Sequence, residues 1–141
     1  MFNNARWISA KFYPDMLTAN AEEVVRSAYL RRVFAVNKKV STAELTICAL
    51  GLGVYYINGQ KVTEDVLCTP YTVYDKRICC NKYDVTHLLK EGDNCIAVHL
   101  GNGFYNNNME SWKDKMAPWR DIPKLILSLH ITYIDGSEEY V

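Results

Sequence analysis

After residue 28 apolar residues recur at every second position through most of the chain, and this two-residue period restricts the fold more than any other feature of the sequence. In Ala43–Leu50 it aligns Ala43, Leu45, Ile47 and Ala49, and in Lys124–Ile134 it aligns Leu125, Leu127, Leu129, Ile131 and Tyr133. Successive side chains of a strand point to opposite faces, so each segment predicts a strand packed on one side. Tyr29–Val36 gives another, with Leu30, Arg32, Phe34 and Val36 together, where the arginine predicts a strand end or sheet edge. Val54–Ile57 and Gln60–Val62 flank Asn58-Gly59, the pair that supplies the two positive-φ residues of a type I′ hairpin turn. Arg77–Cys80 with Lys82-Tyr83, Asn94–Leu100 and Glu138–Val141 complete the strands. Within Asp84–Gly92, Thr86 is expected to cap one helical turn that Leu88 and Leu89 anchor and Gly92 stops. Ala21–Ala28 reads either as a short helix or as a loop. Strands recurring about every ten residues without βαβ alternation predict an all-β fold, an antiparallel β-sandwich of jelly-roll topology with one or two short helical turns. Residues 1–28 form its lead-in and 29–141 the sandwich.

Charge removes several function classes. The 16 basic and 16 acidic side chains cancel, which leaves no electrostatic grip on nucleic acid or on an anionic membrane. No apolar run approaches the length of a membrane span, and MFNNARWISAKFYPDM lacks the basic-then-apolar order of a signal peptide. The five cysteines, Cys48, Cys68, Cys79, Cys80 and Cys95, form an odd set without a C-x-x-C pair. They read as reduced, mostly buried thiols in a reducing compartment, which predicts a cytoplasmic location and neither metal nor cofactor.

One long stretch, 101–123, fits no strand, and connections of that length in a compact domain tend to be functional. It holds two of the three tryptophans. Phe104, Tyr105, Trp112 and Trp119 stand there with Asn102, Asn106, Asn107, Asn108, Glu110 and Asp121. Rings pack on the C–H face of a sugar while amides and carboxylates exchange hydrogen bonds with its hydroxyls, so the mixture suits carbohydrate. Three readings remain open: Phe104 and one tryptophan close the end of the sandwich, the loop docks on another domain, or it contacts sugar directly.

Catalytic patterns are missing from the sequence. His87, His99 and His130 are scattered, and there is no nucleophile elbow, phosphate loop or H-E-x-x-H. Glu22-Glu23, Glu64-Asp65 and Glu138-Glu139 are adjacent pairs, which a strand would send to opposite faces, so none makes an acid and base flanking one bond.

Several motifs in fixed order carry a family likeness. Ala49–Val62 (ALGLGVYYINGQKV), Val66-Leu67, Tyr74, Tyr83–Asn94 (YDVTHLLKEGDN) and Leu100–Tyr105 (LGNGFY) together resemble the N-terminal β-sandwich domain of bacterial alpha-L-rhamnosidases. Arg6-Trp7-Ile8 resembles the segment before that domain, and Pro123–Leu129 with Asp135-Gly136-Ser137 its closing strands. Where the family carries Gly-Trp-Tyr, this chain has Gly103-Phe104-Tyr105, followed by Asn106–Asn108 in place of basic and glycine residues. The resemblance implies a galactose-binding-like jelly roll cut from a larger enzyme within its Glu138–Val141 strand. It also implies that hydrolysis of terminal alpha-L-rhamnosides, with inversion, belongs to a separate helical barrel, so no catalytic residue is assigned to this chain. The implied partners are that catalytic domain of the same parent chain and rhamnose-containing glycosides. An autonomous lectin-like module is the alternative, and homodimerisation of the isolated fragment through its uncovered face is a further expectation.

Overall fold

The computed structural model describes residues 2–11, 26–106 and 118–141. Its strands are β1 (Ala28–Val36), β2 (Val40–Leu50), β3 (Leu52–Ile57), β4 (Gln60–Lys61), β5 (Asn81–Asp84), β6 (Gly92–Gly101), β7 (Lys124–Tyr133) and β8 (Glu138–Tyr140). They form two antiparallel four-stranded sheets, β1-β6-β3-β4 and β5-β2-β7-β8, the sandwich that the alternation predicts. Asn58 and Gly59 both take positive φ, 52° and 81°, and close the β3–β4 hairpin as expected of an Asn-Gly pair.

The core lies between the sheets. Phe34 and Val36, Leu45 and Ile47, Tyr55 and Ile57, Ile96, Val98 and Leu100, and Leu125, Leu129 and Ile131 all point into it. Full burial of one such side chain contributes roughly 1.5–3 kcal/mol, so strand pairs this apolar fix their own register.

Four expectations change on contact with the structure. Burial of β2 is not one-sided: Thr46, Cys48 and Leu50 are buried along with Ala43, Leu45, Ile47 and Ala49, and on β7 Ile126 and Ser128 are buried too. Loops packed over the outer face of the second sheet cause this, and alternation cannot report a cover that comes from distant sequence. Arg77–Cys80 lie outside any strand, because pairing with β2 runs only from Asn81 to Asp84, opposite Ile47 to Glu44.

Thr86 does not cap the helical turn. The turn, a single 3₁₀ element over Thr86–Leu88, starts from Val85 without a side-chain cap. Asp84 Oδ1 instead accepts from the Thr86 N–H at 2.9 Å, while Thr86 Oγ1 accepts from the Ala43 N–H of β2 at 2.8 Å. The hydroxyl thus ties the turn to the second sheet. Thr86→Val keeps the shape and removes the acceptor, and should cost about 1–2 kcal/mol in urea unfolding, with faster exchange of the Ala43 amide. Finally, of the five thiols, all free, only Cys48 and Cys68 are buried; Cys79, Cys80 and Cys95 are half-buried.

β1 starts at Ala28, and Arg26 and Ser27 before it have no regular structure. The rest of Ala21–Ala28 lies outside the described residues. Residues near the start of the chain reach the sandwich: Ile8 exchanges backbone hydrogen bonds with Leu125 of β7 at 2.8 and 2.9 Å.

Candidate functional site

The cover over the second sheet is aromatic. After β4 the chain takes positive φ at Leu67 (56°) and Thr69 (73°), and Cys68 between them accepts a backbone hydrogen bond from Gly53. Such φ values at non-glycine residues are sparsely populated, and the reversal they make sends Pro70–Tyr74 back across the sheet. There Tyr74 meets Leu50 at the end of β2, Tyr105 from the segment after β6, and Trp119 from the segment before β7.

The rings pack edge to face or tilted, the arrangements that their quadrupoles favour. Tyr74 lies 5.2 Å from Tyr105 at 83° and 5.9 Å from Trp119 at 59°. Tyr71 lies 5.9 Å from Tyr74, 5.6 Å from Phe104 and 6.2 Å from Trp119. The cluster has an inner and an outer half. Tyr74 and Tyr105 are each 7% exposed, whereas Tyr71 and Phe104 keep 44% and 46% of their surface open. Burial raises the phenol pKa of Tyr74, with Tyr71 adding to it, and burial raises that of Tyr105, with Asp121 adding to it. Both rings therefore stay neutral.

Polar groups around the cluster are largely committed within the chain. Asn106 is buried, its N–H donates to Asn102 O at 3.2 Å, and its Oδ1 accepts from Arg120 Nε at 3.4 Å. Asp121 accepts from the Ile122 N–H at 2.7 Å with one oxygen and pairs with Lys124 through the other. Trp119 Nε1 is enclosed and has no acceptor among the described residues.

Of the residues that the sequence singles out, Asn102, Phe104, Tyr105, Asn106, Trp119 and Asp121 gather here, while Glu110 and Trp112, with Asn107 and Asn108, lie outside the described residues. Sequence reasoning missed Tyr71, Tyr74 and Leu50. Two tyrosines three apart after Pro70, in a stretch with no strand period, were the available signal.

Nothing in the described residues assembles a reaction centre. His99 stacks on Tyr29 at 4.2 Å, and His130 stacks on Tyr140 at 4.4 Å. His130 Nε2 sits 3.2 Å from Glu138 without the alignment of a hydrogen bond. Cys48 is held well above its usual thiol pKa by burial first and by Cys80 next, which keeps it protonated and unreactive. No group of three or more His, Cys, Asp or Glu among these residues is placed to hold a metal. What the site offers is an apolar, largely aromatic surface.

Residues 38–141 match the family model described as alpha-L-rhamnosidase N-terminal domain. A curated alpha-L-rhamnosidase of Formosa agariphila is 37% identical over 116 residues, covering 79% of this chain but 12% of the relative. Among solved structures, the native alpha-L-rhamnosidase of Aspergillus terreus superposes with a TM-score of 0.87 at 32% identity, over 99% of this chain and 16% of that one. The Streptomyces avermitilis alpha-L-rhamnosidase complexed with L-rhamnose gives a TM-score of 0.73 at 35% identity, over 83% and 12%. This chain thus spans about an eighth of the length of the curated relative, and the family model covers residues 38–141 of it. It belongs to the alpha-L-rhamnosidase N-terminal domain family.

Proposed function

We propose that this domain is a non-catalytic accessory unit of an alpha-L-rhamnosidase, and that Tyr71, Phe104 and Trp119 form the face by which it packs against the catalytic barrel of the same parent chain. The division of the aromatic cluster carries the reading. Tyr74 and Tyr105 seal the sandwich, while Tyr71 and Phe104 hold apolar rings at the surface, where burial against a neighbouring domain is favourable at about 25 cal/mol per Å2. Asn106 and Asp121 are engaged inside the chain, which leaves few of the directional partners that sugar hydroxyls require. The parent enzyme's reaction is cleavage of terminal alpha-L-rhamnosides with inversion, by acidic residues of the barrel. The unpaired thiols suit a cytoplasmic parent.

A second reading, a lectin-like module for rhamnose-containing glycosides, is favoured by the enclosed Trp119 Nε1–H, a donor that a hydroxyl could satisfy. Titration of the isolated domain with L-rhamnose and rhamnosyl glycosides under tryptophan fluorescence separates the two. The docking reading expects no saturable change. Saturation that Trp119→Ala abolishes would establish the lectin instead, and release of rhamnose from an aryl rhamnoside by the isolated chain would overturn both.

Without its neighbour the aromatic face should bring two copies together. Sedimentation of the isolated domain is expected to show dimers at high concentration, and the double variant Tyr71→Ser, Phe104→Ser to shift them to monomer while the domain still unfolds cooperatively, since neither ring belongs to the buried core.

A further inference from the structure

The β2–β5 pairing runs from Glu44 opposite Asp84 to Ile47 opposite Asn81, and one further residue in that register sets Cys48 opposite Cys80. The Val85 N–H donates to Ala43 O, which makes 43/85, 45/83 and 47/81 the hydrogen-bonded positions and 48/80 a non-hydrogen-bonded one. At such a position the Cα atoms stand about 4.5 Å apart with both side chains on one face, inside the span of roughly 4.4–6.8 Å over which a disulfide closes. The two thiols also interact: after burial, Cys80 is the neighbour that most raises the Cys48 pKa, and Cys79 acts more weakly. Cys68 lies instead in the core between the sheets, and Cys95 on β6 of the first sheet. Cys48 is fully enclosed and Cys80 half-buried, so a reagent in solution meets Cys80 first.

We propose that Cys48 and Cys80 form a reversible dithiol–disulfide site, which a small-molecule disulfide oxidises and a dithiol reduces. The Cys80 thiolate attacks one sulfur of the small disulfide and leaves a mixed disulfide on Cys80, while the thiolate released takes up the proton that Cys80 gave to solvent. The Cys48 sulfur then attacks the Cys80 sulfur, its proton passes to the departing thiolate, and the Cys48–Cys80 bond forms. Two protein thiols are oxidised and one small disulfide is reduced to two thiols. Cys48, kept protonated by burial, does not start the reaction; its place opposite Cys80 makes it the resolving thiol. Thr72 Oγ1 donates to Arg77 O at 2.6 Å and the Arg77 N–H to Val73 O at 2.9 Å, so the residues before Cys80 form one compact turn with Tyr71 and Tyr74. A bond from Cys80 to β2 therefore staples that turn, and the aromatic cover it carries, to the second sheet. The site stands on strand register and does not depend on the docking reading.

The test exposes the folded chain to glutathione disulfide, blocks the remaining thiols by alkylation and maps linked peptides by mass spectrometry. Cys48 and Cys80 should be joined with the loss of two hydrogens, Cys79→Ser should keep that bridge, and Cys48→Ser should stop with glutathione on Cys80. In urea, where the register is lost, the preference for this pair should vanish. The bridged chain should unfold at a higher urea concentration than the reduced chain, and dithiothreitol should reverse the shift. An unreactive Cys80, a bridge from Cys79 to Cys80, glutathione that stays on Cys80 of the unmutated chain, or the same preference in urea would each overturn the site. An unchanged or lowered midpoint would overturn the staple.

Discussion

Asn94→Ala is expected to lower stability by about 3–4 kcal/mol and the melting temperature by roughly 10 °C. Asn94 is 2% exposed and all of its polar atoms are bonded. Its Nδ2 donates to Lys90 O at 2.7 Å and to Gly92 O at 2.9 Å, and its Oδ1 accepts from the Lys90 N–H at 3.0 Å and from Asn58 Nδ2 at 2.8 Å. Asn58 extends the knot, donating to Leu88 O at 2.9 Å and accepting from the Cys95 N–H at 2.9 Å. Two amides thereby join the β3–β4 turn, the 3₁₀ element and the start of β6. Alanine leaves four partner groups of Asn94 short of a bond, at about 1 kcal/mol each. Calorimetry measures the loss, and a change below about 1 kcal/mol would mean that the knot rearranges around the gap. Asn94→Asp adds a sign test: the ionised carboxylate would face two carbonyls, so its penalty should shrink in acid, where a protonated carboxyl can donate again.

Gly51→Ala is expected to cost at least about 3 kcal/mol, because strain and collision act together. Gly51 is the corner at which the chain leaves the second sheet at Leu50 and enters the first at Leu52, with φ at 131°. A Cβ there would stand 2.3 Å from the carbonyl oxygen of Gly101, a backbone atom of β6 that cannot step aside without breaking its pairing with Leu52. Gly59 and Gly136 provide the control. Both have positive φ, near 80°, but open space around the missing Cβ, so alanine should cost only the strain, about 1–2 kcal/mol. Chemical denaturation of the three variants side by side measures the difference, and a Gly51→Ala penalty no larger than theirs would mean that the corner yields.

The fold was legible wherever local order decides it. Val54–Val62 contains a whole hairpin in nine residues, and the period of β7 shows its inner face directly. Legibility failed where distant segments meet. Thr86 looks like a cap because a threonine before a helical turn usually is one, yet its hydroxyl is taken by Ala43, a residue 43 positions away. Thr46 and Ser128 look solvent-facing from alternation, but both are buried. The same limit applies to the aromatic face. Phe104 and Trp119 stand out in the sequence because they share one stretch, whereas Tyr71 and Tyr74, which hold that stretch to the sheet, enter from another.

The pairing of Ile8 and Val141 with a single strand has a mechanical meaning. They grip the same edge of β7 at Leu125 and Leu129, four residues or roughly 14 Å apart. A pull applied at those two points is carried along the rim of one strand and opens its outer bonds one after another, while β2 on its other side and the packed interior carry little load. Under tension this sandwich should yield first as a zip along β7, at low force, and keep its core intact after the rim has parted.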